Sequence, residues 1–250
     1  MIAWRLPIQF SIAASAGPLL AALVTNRLAF GSYRAFRFNV DWRRTLVASV
    51  IGVAFVLAFE IVLPALAIAD ASRLVWSIFV SPTVYNYSTL LGGPLFEEPG
   101  WRGFALPRLE SQCGPLGGTL ILGVVWSAWH LPLFLYPGWS SIPVWNYFLI
   151  LTPLSVLLAW ATNFARFGVI AAILMHAAHN TSGDYFNGLF AHANPGSGGF
   201  MPAVIRWLSV GAGIDHLHIA LSFEVLIALG AWVGATVAVA ATKGRLGYPR

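Results

Sequence analysis

Charged side chains are scarce in this chain. Asp, Glu, Lys and Arg make up 9% of its 250 residues, while hydrophobic residues make up 58%. An ordinary soluble domain carries about 25% charged and 45–50% apolar residues. The chain therefore has too few charges to cover a water-facing globule. This shortage excludes a soluble cytosolic enzyme and a disordered chain, and it indicates an integral membrane protein.

Cysteine is almost absent as well. The one cysteine, Cys113, cannot form an internal disulfide, and a zinc finger built on paired cysteines is excluded. The formal net charge is +5, but the basic residues fall mostly in short segments between apolar runs. That placement is typical of membrane proteins, whose cytoplasmic loops are rich in Lys and Arg, so no nucleic-acid partner is expected.

Apolar runs of about 20 residues predict helices that cross the bilayer. The sequence predicts an all-α, polytopic membrane helix bundle of about seven transmembrane helices, with six to eight possible. The seven runs cover residues 7–30, 45–68, 74–96, 116–136, 144–164, 168–181 and 219–241. All belong to one membrane domain, divided into N-terminal spans (1–89), a catalytic core (90–183) and a loop with the last span (184–250).

The basic residues predict the orientation of the bundle. Four of them lie between the first two runs, and three more end the chain: Arg34, Arg37, Arg43, Arg44, Lys243, Arg245 and Arg250. Both segments are expected to be cytoplasmic, which places the N-terminus outside when there are seven spans. Arg102, Arg108 and Arg166 then also fall in cytoplasmic segments. The prediction is a multi-pass protein of the cell membrane.

Ionisable side chains inside a membrane are costly, so each one is a functional candidate. The candidates in the apolar runs are Glu60, Glu97, Glu98, His130, His176, His179 and Glu224, with Asn180 as a polar amide. Glu60 and Glu224 are each expected to be protonated or paired with a neutral donor, or else to line a substrate path. His179 is expected to support a neighbouring group. The loop histidines His192, His216 and His218 are expected to be surface features.

Glu97 and Glu98 are adjacent carboxylates beside an apolar run. On a helix, Glu98 and Arg102 are four residues apart and can pair. Glu97 points about 100° away from Glu98 and is left for general base chemistry. Because proline suits the first turn of a helix, Pro99 predicts a helix that begins near Glu98. A structural Glu–Arg pair on an interfacial helix is the alternative interpretation.

Two further patterns contain histidine. Trp126-x-x-x-His130 lies in the fourth run, and His176-x-x-x-Asn180 lies in the sixth. His176 and Asn180 share one helix face, as a ligand pair or a donor pair facing a cavity would. Alternatively, His130 is a hydrogen-bonded histidine of the bundle and the second pattern is a structural polar stripe.

Taken together, these three patterns resemble the CPBP family, also called the Abi family. It includes CAAX prenyl endoproteases and bacteriocin-processing or self-immunity proteins, and its pattern is E-E-x-x-x-R, then aromatic-x-x-x-H, then H-x-x-x-N. The same order occurs here within about 90–183. The family's aromatic residue is usually phenylalanine, whereas this chain has Trp126.

The resemblance implies an intramembrane endopeptidase that hydrolyses a peptide bond near the cytoplasmic membrane face. Glu97 would activate a water, with His130 beside it. Glu98 and Arg102 would orient and balance the site. The implied substrate is a peptide or protein, such as a prenylated CAAX peptide, a leader-bearing bacteriocin precursor or a membrane-protein tail.

The resemblance also implies roles for the last motif. His176 and Asn180 would bind a metal or stabilise the oxyanion. A zinc ion held by Glu97, His130 and His176 is expected, with one position left for water. A metal-free, glutamate-activated hydrolase is the alternative.

Two non-peptidase functions are also compatible with the sequence. One is a non-catalytic immunity or scaffold protein of the same fold. The other is a proton-coupled transporter using Glu60, Glu97 and Glu224, which the absence of a repeat in the two halves disfavours.

The predicted spans place Glu97 and His130 at different depths in the membrane, although the two residues should share one site. Glu97 lies near the cytoplasmic edge, while His130 lies roughly 20 Å into the fourth helix. Either the fourth helix tilts, or the helix with Glu97 enters the bilayer.

Overall fold

The computed structural model is helical throughout the residues that it describes, which are 14–32, 41–62, 93–135, 144–193 and 223–248. Seven α-helices lie in these ranges: α1 Gly17–Phe30, α2 Trp42–Leu57, α3 Pro94–Gly100, α4 Leu106–Trp129, α5 Val144–Phe164, α6 Val169–Ala193 and α7 Phe223–Thr242. Side chains are described as far as residue 182 in α6 and from residue 227 in α7. The predicted all-α class is confirmed.

Three short non-α helical turns also occur in the described chain, besides the turns at 165–168 and 243–248. A π-helical turn, Ala58–Val62, extends α2, and a second, Trp101–Ala105, joins α3 to α4. A 3₁₀ turn, Leu131–Leu135, follows α4. Wide π turns rotate the following side chains relative to a regular helix and often occur at functional sites.

Helix starts follow local chemistry, with one correction to the prediction. The Asp41 side chain caps α2 by accepting a hydrogen bond from the Arg44 backbone N–H at 3.1 Å. Pro94, not Pro99, occupies the first turn of α3, so the helix begins four residues before Glu98. Pro99 lies inside the helix, where it removes a backbone donor just before the π turn.

The chain reverses direction at Gly114. This residue has φ 74° and ψ 165°, which is not helical, and Pro115 starts the helix again. A Cβ atom on Gly118 would lie 2.6 Å from the backbone nitrogen of Glu110, so the two sides of the turn are in contact. Residues 94–113, here called the first arm, and residues 115–129, the second arm, therefore form an antiparallel helical hairpin.

The hairpin corrects the prediction for the segment between the third and fourth spans, which is helical and not a loop. The sequence predicted a third span at 74–96 and a loop up to 116, but the first arm is helical from 94 to 113. Most of the predicted third span, 74–92, lies outside the described residues. The hairpin also brings Glu97 and His130 to similar depths in the membrane, because the first arm, which bears Glu97, lies antiparallel to the second arm, which leads to His130. The sixth helix is also longer than predicted, reaching Ala193 instead of Thr181.

The central helix of the described bundle is α5. It packs against α2, α4, α6 and α7, and side chains such as Leu154 and Leu158 are almost completely buried. Next to it, α2 and α6 run parallel, because Gly52 approaches Met175 and Glu60 bonds His179. This arrangement fixes α6 between α2 and the hairpin.

Apolar side chains cover the outside of the bundle. Leu28 is 81% exposed and Val237 is 61% exposed, which is stable only in a lipid environment. By length and composition, the described helices Trp42–Glu60 and Tyr147–Phe164 could each cross a membrane. The stretch Pro94–Phe134, which the hairpin turn divides into two arms, also contains a window that is long and apolar enough, and Gly17–Phe30 and Ile227–Thr242 are shorter apolar helices. The chain is therefore membrane-embedded.

Basic side chains gather at one end of this bundle. The Arg44 guanidinium lies 5.7 Å from the Phe164 ring, and that of Arg108 lies 5.5 Å from the Phe30 ring. These contacts join the start of α2, the end of α5, the hairpin turn and the end of α1. We call this the basic end.

Candidate active site

The first and third motifs meet in a buried charge cluster between the first arm and α6. Arg102 donates to Oε1 of Glu98 at 3.0 Å, which confirms the predicted pairing. The same Glu98 oxygen lies 2.7 Å from Nδ1 of His176, 78 residues away. Glu98 and Arg102 are completely buried. Both donors contact Oε1, which helps to stabilise the buried carboxylate, while Oε2 has no hydrogen-bond partner among the described residues.

The sequence analysis placed Arg102 in a cytoplasmic segment, and this prediction is wrong, because Arg102 is buried inside the bundle. It lies in the π turn, and its second guanidinium nitrogen donates to Oγ of Ser155 on α5 at 3.2 Å. The reason is that Glu98 and Ser155 accept hydrogen bonds from its two terminal nitrogens inside the protein. The sequence contains no signal for Ser155, because a single hydroxyl within an apolar run is common.

Glu97 lies on the other face of the first arm and contacts the second motif. The indole Nε1–H of Trp126 donates to Oε2 of Glu97 at 3.0 Å. Trp126 is completely buried. Its ring lies under the Arg102 guanidinium at 4.3 Å and against the edge of the His176 ring at 5.1 Å. One aromatic side chain thus joins all three motifs.

Gly93 provides the space in which Glu97 and Asn180 come together. A Cβ atom at this position would lie 3.2 Å from Oε1 of Glu97 and 3.4 Å from Nδ2 of Asn180. The φ angle of Gly93 is −173°, an extended value that any residue adopts. The glycine therefore matters for the room it leaves, and a carboxylate and an amide donor face that room together.

His130 follows the second arm at its C-terminal end. Its Nδ1 lies 2.9 Å from the backbone carbonyl oxygen of Trp126. Its ring lies 6.2 Å from that of Trp126 and 5.3 Å from that of Tyr147 on α5. His130 thus lies one helical turn beyond the indole that contacts Glu97.

The tautomers of His130 and His176 follow from these partners. A carbonyl or a carboxylate oxygen can only accept, so Nδ1 of each ring carries the hydrogen and Nε2 carries the lone pair when the ring is neutral. That is the tautomer of a metal ligand supported by a carboxylate or carbonyl. However, in the part of the chain that the structure describes, no three His, Cys, Asp or Glu side chains are gathered as one metal ion requires.

Glu60 and His179, the weaker candidates, bond to each other. Both oxygens of Glu60 lie near Nδ1 of His179, at 2.8 and 3.0 Å. The hydroxyl of Ser182, which the sequence did not single out, donates to Oε2 of Glu60. The remaining candidates fall outside the described side chains: His192, His216, His218 and Glu224.

A second buried pair was missed from the sequence. Asn163 on α5 donates to Oε1 of Glu110 on the first arm at 2.6 Å, and both side chains are buried. The pair lies toward the hairpin turn and the basic end, one or more turns beyond the Arg102 cluster. It has no contact with the three motifs among the described residues, so it is a separate structural pair.

The arrangement is suited to hydrolysis of a carbonyl compound. Glu97 provides an oriented carboxylate, and Asn180 provides a donor on the other side of the same space. Next to them, Arg102 and His176 both bond to Glu98. A carboxylate base and an oriented amide donor are what the attack of water on an amide carbonyl requires.

Comparison with known proteins supports the resemblance. Residues 74–182 match the family model described as "Type II CAAX prenyl endopeptidase Rce1-like". The chain is also 30% identical over 95 residues to CAAX prenyl protease 2 of Methanococcus maripaludis. That stretch covers 35% of this chain and 35% of the relative, so the chain matches about a third of the relative's length. No solved structure matches at a significant level.

The matched segment contains the hairpin, both of its motifs, and the part of α6 that bears His176 and Asn180. The order of the motifs, their assembly in space and the family match agree. Residues 74–182 are therefore similar to Rce1-like type II CAAX prenyl endopeptidases, in agreement with the resemblance to the CPBP family.

Proposed function

We propose that this protein is an intramembrane endopeptidase in which Glu97 activates the attacking water. One observation carries the proposal: Glu97 Oε1 and Asn180 Nδ2 face the same space beside Gly93. The family match and the apolar exterior of the bundle support it. A polar, buried site inside such a bundle is suited to a substrate that is itself delivered within the membrane.

In the proposed reaction, Glu97 removes a proton from water while the water oxygen attacks the carbonyl carbon. Asn180 donates a hydrogen bond to the oxyanion that forms on the carbonyl oxygen. Glu97 then returns the proton to the amide nitrogen as the carbon–nitrogen bond breaks. The products are one carboxylate and one amine. Trp126 keeps the Glu97 carboxylate oriented throughout, through the bond to Oε2.

Zinc remains a prediction for this site. The Nε2 atoms of His130 and His176, with the Glu97 carboxylate, would be its ligands, and the ion would supply Lewis acidity and a more acidic water. Because the described side chains are not gathered into such a ligand group, the proposed steps use protein groups alone.

The class of substrate that we propose is based on the name of the relative. A protein named CAAX prenyl protease 2 suggests a prenylated C-terminal peptide, and a leader-bearing peptide is the second candidate. We also propose that the basic end faces the cytoplasm of a cell membrane, as the positive-inside bias predicts.

The test compares Glu97→Gln with wild type on two fluorogenic peptides, one farnesylated with a CAAX ending and one with an apolar leader. Wild type should cleave at least one, and Glu97→Gln should lose at least about a thousandfold in kcat, since the base is removed. Glu110→Gln, at the buried carboxylate far from the motifs, should retain activity.

Bound metal is measured on the same preparations, together with His130→Ala. One zinc per wild-type chain that is lost in a folded His130→Ala variant would support the metal prediction. A Glu97→Gln variant with full turnover would contradict Glu97 as the base, whereas a folded wild type that cleaves neither peptide would favour the non-catalytic scaffold of the same fold.

A further inference from the structure

Glu60 lies outside the three motifs, yet it is bound to the helix that carries the third one. It is 4% exposed, lies in the π turn that extends α2, and both of its oxygens contact Nδ1 of His179. Its Oε2 also accepts from the hydroxyl of Ser182, which is completely buried. A carboxylate with three contacts from one neighbouring helix is a fixed attachment point for that helix.

The contacts of α6 alternate between two carboxylates. His176 contacts Glu98 on the first arm, and three residues later His179 contacts Glu60 on α2. Asn180 is the next residue after His179 and faces Gly93. Adjacent residues of a helix diverge by about 100°, so the side chains of His179 and Asn180 point to different neighbours.

His179 and Ser182 are three residues apart, so they lie one above the other on the same face of α6. Two bonds from one carboxylate to that face limit both the rotation of α6 about its axis and its sliding along α2. A second close approach, of Gly52 to Met175 at 2.9 Å from an added Cβ, limits the distance between the two helices. The position of the Asn180 amide depends on all three of these degrees of freedom.

We propose that Glu60, through His179 and Ser182, is a positioning residue that sets the rotation of α6 and so aims Asn180 and His176 at the catalytic space. The proposal rests on the proposed peptidase function. Glu60 touches neither the substrate space nor Glu97, so its effect passes through α6. Positioning errors of about 1 Å can cost a hundredfold in rate.

The test uses the full-length protein in detergent or lipid, and it compares two buried carboxylates. Glu60 and Glu110 are 4% and 3% exposed, and each accepts from a neighbouring helix. Glu60→Ala should lower kcat about tenfold or more with little change in KM, because orientation rather than binding is lost. Glu60→Gln keeps an acceptor for His179 and should retain most of the activity, while Glu110→Ala should leave kcat unchanged.

A second readout needs no substrate. The side-chain nitrogen signals of ¹⁵N-labelled histidine report the bond between His176 and Glu98, and single substitutions assign them. Glu60→Ala should shift the His176 signals although Glu60 does not contact His176, and Glu110→Ala should not. If Glu60→Ala does not fold, His179→Asn removes the same attachment from the other side and is read in the same way.

Unchanged His176 signals and unchanged kcat in a folded Glu60→Ala or His179→Asn variant would overturn the proposal. An equal loss of kcat in Glu110→Ala would overturn it too, since any buried carboxylate would then matter equally. The proposed peptidase fails separately: it fails if Glu97→Gln keeps full turnover, and the histidine signals still decide whether Glu60 positions α6.

Discussion

Trp126 stands where the CPBP family usually has phenylalanine, and the difference is one hydrogen-bond donor. Its indole Nε1–H donates to Glu97, a bond that phenylalanine cannot make. The carboxylate of Glu97 is buried, and a hydrogen bond to a charged group is worth about 1.5–3 kcal/mol. In this chain the aromatic residue therefore orients the proposed base as well as filling space.

Trp126→Phe should keep the fold and slow the reaction. Loss of the donor should lower kcat by about ten- to a hundredfold, the rate equivalent of one hydrogen bond to a charged group. Steady-state kinetics on the cleaved peptide measure the effect. Trp160→Phe is the control, because Trp160 stacks on Phe164 away from the motifs. Equal rates for wild type and Trp126→Phe would show that the indole bond does not assist catalysis.

Residue spacing predicted the contacts within one helix and could not predict those between helices. The Glu98–Arg102 pair and the separate face of Glu97 follow from the helical period alone. The contact of Glu98 with His176 spans 78 residues, and no local pattern states which helices are neighbours. The pairing of Glu60 with His179 was unpredictable for the same reason, although both residues were recognised as unusual in an apolar run.

At the level of the helices, Gly114 is the point at which one long helical stretch becomes two arms. Its φ of 74° with ψ of 165° belongs to a region that is open almost only to glycine. A Cβ atom there would meet no heavy atom within 4 Å. The requirement for glycine is therefore conformational and not steric.

Gly114→Ala should destabilise the folded protein by about 1–3 kcal/mol, the cost of a side chain in that backbone region. Gly117→Ala is a matched control in the same helix, since its added Cβ would meet Cys113 at an ordinary 3.5 Å. That control should be neutral or stabilising by up to about 1 kcal/mol. Thermal unfolding in detergent compares them, and a Gly114→Ala variant as stable as wild type would show that the turn tolerates a different backbone.

The hairpin also shows why the helix at 94–113 was not predicted as a span from the sequence. The first arm contains Glu97, Glu98, Arg102, Arg108 and Glu110, so its mean hydropathy is too low for a membrane-span search. Several of these side chains bond to partners on other helices, such as Ser155 and Asn163. A search based on composition cannot detect partners that are distant in sequence. The fifth predicted span, 144–164, contains no Asp, Glu, Lys or Arg, and it coincides with the helix Val144–Phe164.

For the whole molecule, the basic end gives the orientation a direct test. Cys113, the single cysteine of the chain, is exposed at the hairpin turn. If the basic end is cytoplasmic, a membrane-impermeant maleimide should label Cys113 only after the cells are opened. Cys113→Ser should abolish the labelling. Labelling of intact cells to the same extent as opened cells would reverse the proposed orientation.

The distances in sequence between the site residues also set an order of assembly during biosynthesis. Glu97 and Trp126 are 29 residues apart and belong to one hairpin, which forms from local contacts. His176 and Asn180 enter the membrane later, because chains are made from the N-terminus and fold in that order. A nascent chain that ends before α6 therefore has the proposed base, Glu97, but not the proposed donor, Asn180. We expect the proposed site to be complete only when α6 has been inserted and has docked between α2 and the hairpin.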